Sequence, residues 1–563
     1  MGKNFKKILA AVVSAAMICL PMGVLAADEN VASVDATEYA TLQEAINQAN
    51  GKTVTLLTDV TESVTIPEGT TITLDLGEFT LTNTDKQDTI TNNGTLTVTG
   101  NGTVDNVSHA KTALQNNGTA VLNGGTFDRS KEAGKNESDS GENSYYTIVN
   151  HGTMTIKDGT TVKQNGKFSS LLENGWYNGN QNTGKQDSVL NIEGGHFTGG
   201  LNTIKNDDYG QLHISGGTFE NVAQAALLNW NTATITGGTF QVDTGSNCVV
   251  LNGYLNDSMD KGELTISGGT FSGGVDVLQT MGGSTNSGTI KISNGTFNGN
   301  INLGLTASAS AGNLEISGSA VINGDVINTQ QDSVVINGGT ITGTINNTGN
   351  GTMQVNSGNF SEQPDSAYVN GASTVAKYTT GDVATFIVGS ASDVANQLSN
   401  AVKGDKIEIM QGDAEIAVTE GVSVSNTGTG TVTVNGETVT EEPVVTPHVH
   451  GNIIHVDAKA PTATQAGNIE YWLCEDCGKY FSDEALTKEI TEEDTILAAT
   501  GETSNPSQPA NPDNSGSGTQ VTPDDTTSTP QTGDSSNLAV WVVLTVLAGA
   551  SIVKAALSVK HAK

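Results

Sequence analysis

Three sets of residues in this 563-residue chain have the types and spacing to do chemistry. The first lies near the end, where Cys474-Glu475-Asp476-Cys477 follows His448, His450 and His455. A C-x-x-C on a tight turn offers two thiolates to one point, and thiolates with imidazoles suit tetrahedral zinc. His450, His455, Cys474 and Cys477 are the four that would make the site, with a C-x-x-C disulfide or plain thiols as the alternatives. The second set is aromatic: Asn174-Gly175-Trp176-Tyr177, Asn206-Asp207-Asp208-Tyr209, Asn229-Trp230 and Asn252-Gly253-Tyr254 place rings just after a recurring asparagine. Aromatic faces suit the apolar C–H face of a sugar, while Asn and Asp take its hydroxyls. Trp176, Tyr177, Asp207, Asp208, Tyr209, Trp230 and Tyr254 are therefore predicted to form a glycan platform; the competing role is a stack that only packs loops against the protein. The third set is Asp207, Asp208 and Asp257. Acid–base cleavage needs two or three converging carboxylates, and turn aspartates are far commoner, so no catalytic residue is assigned.

Charge narrows the partners. The chain carries 60 Asp and Glu against 25 Lys and Arg, a formal charge of −35. Such a surface repels nucleic acid and anionic lipid. Its single arginine, Arg129, leaves no basic cluster around an acidic polysaccharide. The segment from Arg129 to Glu142 reads as a polar, solvated loop. Four cysteines are too few for a disulfide framework in a large protein, and Cys248, in SNCVVLNG, reads as a buried thiol.

What positions these residues is a repeat. QLHISGGTF (211–219), TATITGGTF (232–240), ELTISGGTF (263–271) and TIKISNGTF (289–297) share one pattern, with a fuller copy at 119–127 and weaker ones from 96 to 360. Each alternates apolar and polar residues, the period of a strand. The glycines make a sharp corner, and Phe127, Phe219, Phe240, Phe271 and Phe297 turn inward after it. One unit cannot bury its own apolar face, so the units must stack. The asparagines Asn93, Asn117, Asn150, Asn174, Asn206, Asn229, Asn252, Asn328 and Asn347 precede the strands at a shared offset and predict a ladder at one corner. An open strand edge must be covered, and the amphipathic YATLQEAINQAN (39–50) predicts a capping helix. SASDVANQLSNA (390–401), followed by KIEIMQGD, predicts a second such unit.

The GGTF corners and the YATLQEAINQA opening resemble the pectate-lyase-like β-helices of Gram-positive surface proteins, adhesin-like repeats included. The resemblance implies an all-β fold, a right-handed parallel β-helix with an N-terminal capping helix, on a scaffold that also hosts polysaccharide lyases and glycosidases. The stretch 467–484 resembles a small module of such surface proteins.

Both ends read as targeting. Lys3, Lys6 and Lys7, the apolar run 8–20 and the small residues near 26 form a secretory signal. At the other end Thr529-Pro530-Gln531-Thr532-Gly533-Asp534, an apolar stretch and terminal lysines resemble a sortase sorting signal. That implies cleavage between Thr532 and Gly533 and attachment to peptidoglycan, with a membrane anchor as the alternative. The expected organisation is a signal peptide (1–26), the β-helix (30–385), a second helix-plus-strand unit (386–442), a Cys/His module (443–500), a disordered wall-spanning linker (501–528) and the sorting signal (529–563). The sequence thus predicts a monomeric, wall-anchored, adhesin-like protein that binds glycans. A lyase or glycosidase on the same scaffold is the second reading and a non-binding spacer the third.

Overall fold

The repeat folds as a parallel β-helix. The computed structural model describes residues 30–135, 144–177, 184–221, 223–243, 248–253, 261–281, 288–304, 312–329, 333–446 and 450–501. The signal and sorting segments, most of the linker, His448, Tyr254 and Asp257 fall outside these residues. The chain divides into two compact units, Met1–Val449 and His450–Lys563.

In the first unit each coil supplies three short strands, as in Thr232–Ile235, Thr239–Val242 and Cys248–Gly253. The third strands of successive coils form a twelve-stranded sheet, from Val64–Ile66 to Ile345–Asn347. From Glu263 onward the first two strands of a coil fuse into one bent strand, such as Glu263–Gly273, with the register shifting at the glycine corner. The alternating residues do what their period requires. Leu212 and Ile214 point into the core and pair in register with Ala233 and Ile235, then with Leu264 and Ile266. The phenylalanines after the corner stack face to face: Phe197, Phe219, Phe240, Phe271 and Phe297 have centroids 4.5–4.9 Å apart and planes within 7–11°. Phe127 sits in the same column, separated from Phe197 by Val162.

The two glycines of the corner have different jobs. Gly238 has φ +101°, a conformation a side chain resists. Gly237 has an ordinary φ, but a Cβ there would lie 2.3 Å from the carbonyl oxygen of Ser215 in the preceding coil.

At the end of the third strand the predicted ladder is present and fully buried. The Nδ2 of Asn92 donates to Oδ1 of Asn116 at 2.7 Å, and the chain of bonds runs on through Asn150, Asn174, Asn206 and Asn229 to Asn252, each step 2.7–2.8 Å. Most of these amides also donate to a first-strand carbonyl of the next coil, as Asn206 does to Thr232 at 3.0 Å. In the first coils the ladder is built from Asn92 and Asn116 rather than the expected Asn93 and Asn117. Those neighbours are exposed and bond to each other outside, because the pleat turns adjacent residues to opposite sides. Beyond Asn252 the register position becomes Thr280 and then Leu303, before Asn328 and Asn347 resume it.

The first edge is covered by helix α1, Leu42–Gln48, which buries Leu42, Ala45 and Ile46. Thr41 caps it by accepting from the Glu44 N–H at 3.2 Å. A hairpin not foreseen in the sequence, Ala32–Val34 with Thr37–Tyr39, completes the cover by pairing antiparallel with Lys52–Leu56. At the far edge Thr352–Phe360 pairs antiparallel with Val383–Gly389, one arm of a hairpin whose other arm is Thr374–Thr380. Helix α2, Ala391–Leu398, follows, capped by Ser390, and the parallel pairing resumes between Lys406–Gln411 and Ser423–Asn426. The hairpin reverses strand direction and so runs across residue 386, where the second unit was expected to begin.

The second unit is a small antiparallel sheet of Ile453–Val456, Tyr471–Cys474, Lys479–Phe481 and Glu489–Ile490. Among the described residues no helix is long and apolar enough to cross a membrane; the apolar stretch 538–553 lies outside them.

Asn206→Ala removes both ladder bonds of one coil and orphans buried partners. It is expected to lower the unfolding free energy by about 2–4 kcal/mol, whereas Asn93→Ala, on the exposed neighbour, should change it by less than about 0.5 kcal/mol. Urea titration followed by circular dichroism measures both.

Candidate functional site

Five consecutive third strands carry, one residue before the ladder asparagine, Gln115, Val149, Glu173, Lys205 and Leu228, aligned in register. Because the asparagine points inward, these residues point out. In the outer coils this outward position is partly exposed, as at Thr91 and Ile327, but in the middle coils it is buried. The cover comes from inserted loops, and between them lies a cleft of about 790 Å³, within the usual range for ligand sites. Glu173 and Lys205 form its polar floor. Tyr145 and Tyr146, from the loop before Ile148–Asn150, stand on one side. Trp176 and Tyr177, directly after Asn174, and Trp230, directly after Asn229, supply further walls.

The aromatic walls are held firmly. Trp176 stacks on His151 with centroids 3.7 Å apart and planes 7° apart, and its Nε1 donates to the Gln186 carbonyl at 3.1 Å. The Lys185 ammonium lies 4.2 Å from the centre of its ring. The Lys205 Nζ sits 4.1 Å from the centre of Tyr177 and 4.4 Å from that of Trp230, a two-ring cage with favourable cation–π geometry. Lys205 also forms an ion pair with Asp207. Trp230 rests on Ala225, Leu228, Cys248 and Leu251.

Glu173 is 3% exposed, and its Oε1 has no hydrogen-bond partner. Burial pushes its carboxyl up to about 8; nearby Lys205 pulls down, and Asp207 pushes up again. It therefore carries its proton at neutral pH. Burial likewise raises Asp207 against the pull of Lys205. Burial and the nearby Lys185 lower His151 to about 4, so that imidazole is neutral.

Arg129 and Glu132, expected in a solvated loop, are instead buried and joined at 2.9 Å. Arg129 donates to the carbonyls of Ser108 and Lys111. Glu132 accepts from the Ser144 hydroxyl at 2.6 Å and the Tyr145 N–H at 3.1 Å. The lone arginine thus braces the tyrosine wall. A buried charge requires a partner, and this pair anchors both ends of the loop whose residues 136–143 lie outside the described set.

Of the predicted platform, Trp176, Tyr177 and Trp230 meet at the cleft. Asp207 and Asp208 do not line it: both are essentially fully buried, Asp207 against Lys205 and the Asp208 N–H, so they offer no hydroxyl acceptors. Tyr209 also stays out of it, at φ +61° with its hydroxyl accepting from the Gly184 N–H. Tyr254 is outside the described residues. Glu173 and Lys205 were missed, because a charged residue directly before Asn174 or Asn206 holds an outward strand position and reads as a solvated one. Cys248 is buried as expected, and burial pushes its thiol up.

In the second unit His450, Cys474 and Cys477 come together, with their donor atoms within 4.8 Å of one another and His450 Nδ1 3.7 Å from Cys477 Sγ. His455 separates from this group. It stacks on Trp472 and meets Glu470 at 2.9 Å, within a distinct His455–Asp457–Glu470 cluster. The strand explains the division: His455 pairs with Trp472, two residues before Cys474.

No protein-family model, curated protein or solved structure matches the chain.

The Glu173 carboxyl holds its proton up to about pH 8 when folded and loses it near 4.5 when unfolded. The native state binds the extra proton between those values, so this position costs stability increasingly as pH rises from 4.5 to 8. Glu173→Gln removes that dependence. Between pH 5 and pH 8 the variant should gain on the order of a few kcal/mol relative to the wild type, read from paired urea titrations.

Proposed function

We propose that this is an exported, wall-anchored surface protein that binds glycans in the third-strand cleft. The observation that carries the reading is the cleft itself: aromatic rings around a polar floor, with a buried carboxyl oxygen lacking a partner. Sugars combine apolar ring faces with hydroxyl donors, and this lining offers both contacts. The N-terminal signal pattern and the Thr532-Gly533 motif favour export and attachment to peptidoglycan by a sortase. The alternative of a lyase or glycosidase gains one acid group in Glu173. A second carboxylate lining the cleft, which acid–base cleavage of a glycoside would use, is not among the described lining residues.

The full chain and its Trp176→Ala/Trp230→Ala variant on a glycan array test the reading. Binding by the wild type is expected to fall at least about tenfold in the double variant; unchanged binding would exclude the cleft. Release of reducing or unsaturated ends from bound polysaccharide would favour the enzyme instead.

A second proposal concerns the His450, Cys474 and Cys477 cluster, whose donor chemistry fits zinc with a fourth position open to water or another donor. Metal analysis of the full chain, purified without chelator, should find about one zinc per molecule, lost in Cys474→Ser/Cys477→Ser. Absence of zinc from the wild type would refute it.

A further inference from the structure

We propose that the cleft takes a glycan bearing unblocked primary amines, of the deacetylated hexosamine type, with Glu173 pairing the ligand's ammonium. This rests on the glycan reading above and specifies its ligand class. Glu173 is nine-tenths and more buried, lines the cleft and leaves Oε1 without a hydrogen-bond donor. A buried acceptor of this kind calls for one. The nearest cation, Lys205, is committed to Asp207 and to the faces of Tyr177 and Trp230. The remaining titratable groups that act on Glu173 are Asp207 and Asp208, with the phenols of Tyr145 and Tyr146 opposite; His109 and His151 also line the cleft.

The walls already accept ammonium groups supplied by the chain itself, Lys185 over Trp176 and Lys205 over Tyr177 and Trp230. A uronate could take one hydrogen bond from the protonated Glu173, but it would do so close to Asp207 and Asp208 in a chain of formal charge −35. An ammonium is attracted by those two aspartates and by the net charge that repel a uronate. Placed against Oε1, it favours the ionised carboxylate: an amine that arrives as ammonium drives the Glu173 proton to solvent, whereas a neutral amine takes that proton itself.

The test titrates the full chain with a β-1,4-linked glucosamine oligomer and with its N-acetylated counterpart of equal length. The amine form is expected to bind at least about tenfold more tightly, the size of one charge-assisted contact. Calorimetry at about pH 5.5, where the sugar amines are already ammonium and folded Glu173 is still protonated, in two buffers of different ionisation heat should show net proton release, and Glu173→Gln should erase both the preference and the release. Equal affinity for the two oligomers, or tighter binding of the acetylated one, overturns the proposal. These wild-type comparisons decide it even if the variant folds poorly. Binding to other glycans but to neither oligomer refutes the amine assignment alone, whereas binding to no glycan refutes the glycan reading with it.

Discussion

The buried asparagine ladder is the constraint on which the site depends. Each amide from Asn92 to Asn252 is fully buried, and those from Asn116 to Asn229 are bonded to the coil on either side. In a strand the side-chain period is two, so a slip of one residue would turn the whole face inside out. Fixing the asparagine inward therefore fixes its predecessor outward. That predecessor is Gln115, Val149, Glu173, Lys205 and Leu228 in turn, the floor of the cleft. An amide is well suited to this position because it donates twice and accepts, which lets one side chain satisfy its own ladder and the neighbouring first strand.

The cleft then follows from what is added to that register. Insertions in successive coils enter on the same flank because the coils are aligned, and a loop lengthened on a solenoid costs little in closure entropy. Here the insertions cover the outward face and change its dielectric environment. Residues that would be ordinary surface groups on the outer coils become buried ones, which is why Glu173 keeps its proton and Lys205 needs both Asp207 and two aromatic faces. The same logic accounts for Arg129, which is sustained in the interior by Glu132 and two backbone carbonyls.

Much of the scaffold was legible in the sequence. GGTF announced both the corner and the inward phenylalanines, and the amphipathic segments at 39–50 and 390–401 contain the two helices. These are local signals, set by period and by glycine. The site was only partly legible, because its parts are defined by three-dimensional stacking. Trp176, Tyr177 and Trp230 share an offset and were found. Asp207 and Asp208 share that offset too, but the tight turn to Tyr209 folds them under the floor, and no spacing rule distinguishes an aspartate on a surface from one buried beside a lysine. Glu173 and Lys205 looked like solvated strand residues because their burial comes from loops elsewhere in the chain. His455 failed for a similar reason, since strand pairing set it beside Trp472 and Glu470 rather than beside the cysteines.

The aromatic residues also have two roles that sequence treats as alternatives. Trp176 packs against His151 and supports a loop, yet it lines the cleft; Trp230 closes an apolar cluster and at the same time cages Lys205. Rigid packing and recognition are compatible here because a ring has two faces and an edge, and the ammonium over Trp176 belongs to an exposed lysine, Lys185, whose place a ligand can take. Fixing one face by stacking removes the rotamer entropy that binding would otherwise have to cover. The wall that holds the loop down is therefore the better wall for holding a ligand. Truncating either tryptophan should disturb both at once, so its effect on binding is interpretable only beside that of Glu173, whose replacement by glutamine keeps the packing and removes the ionisable carboxyl.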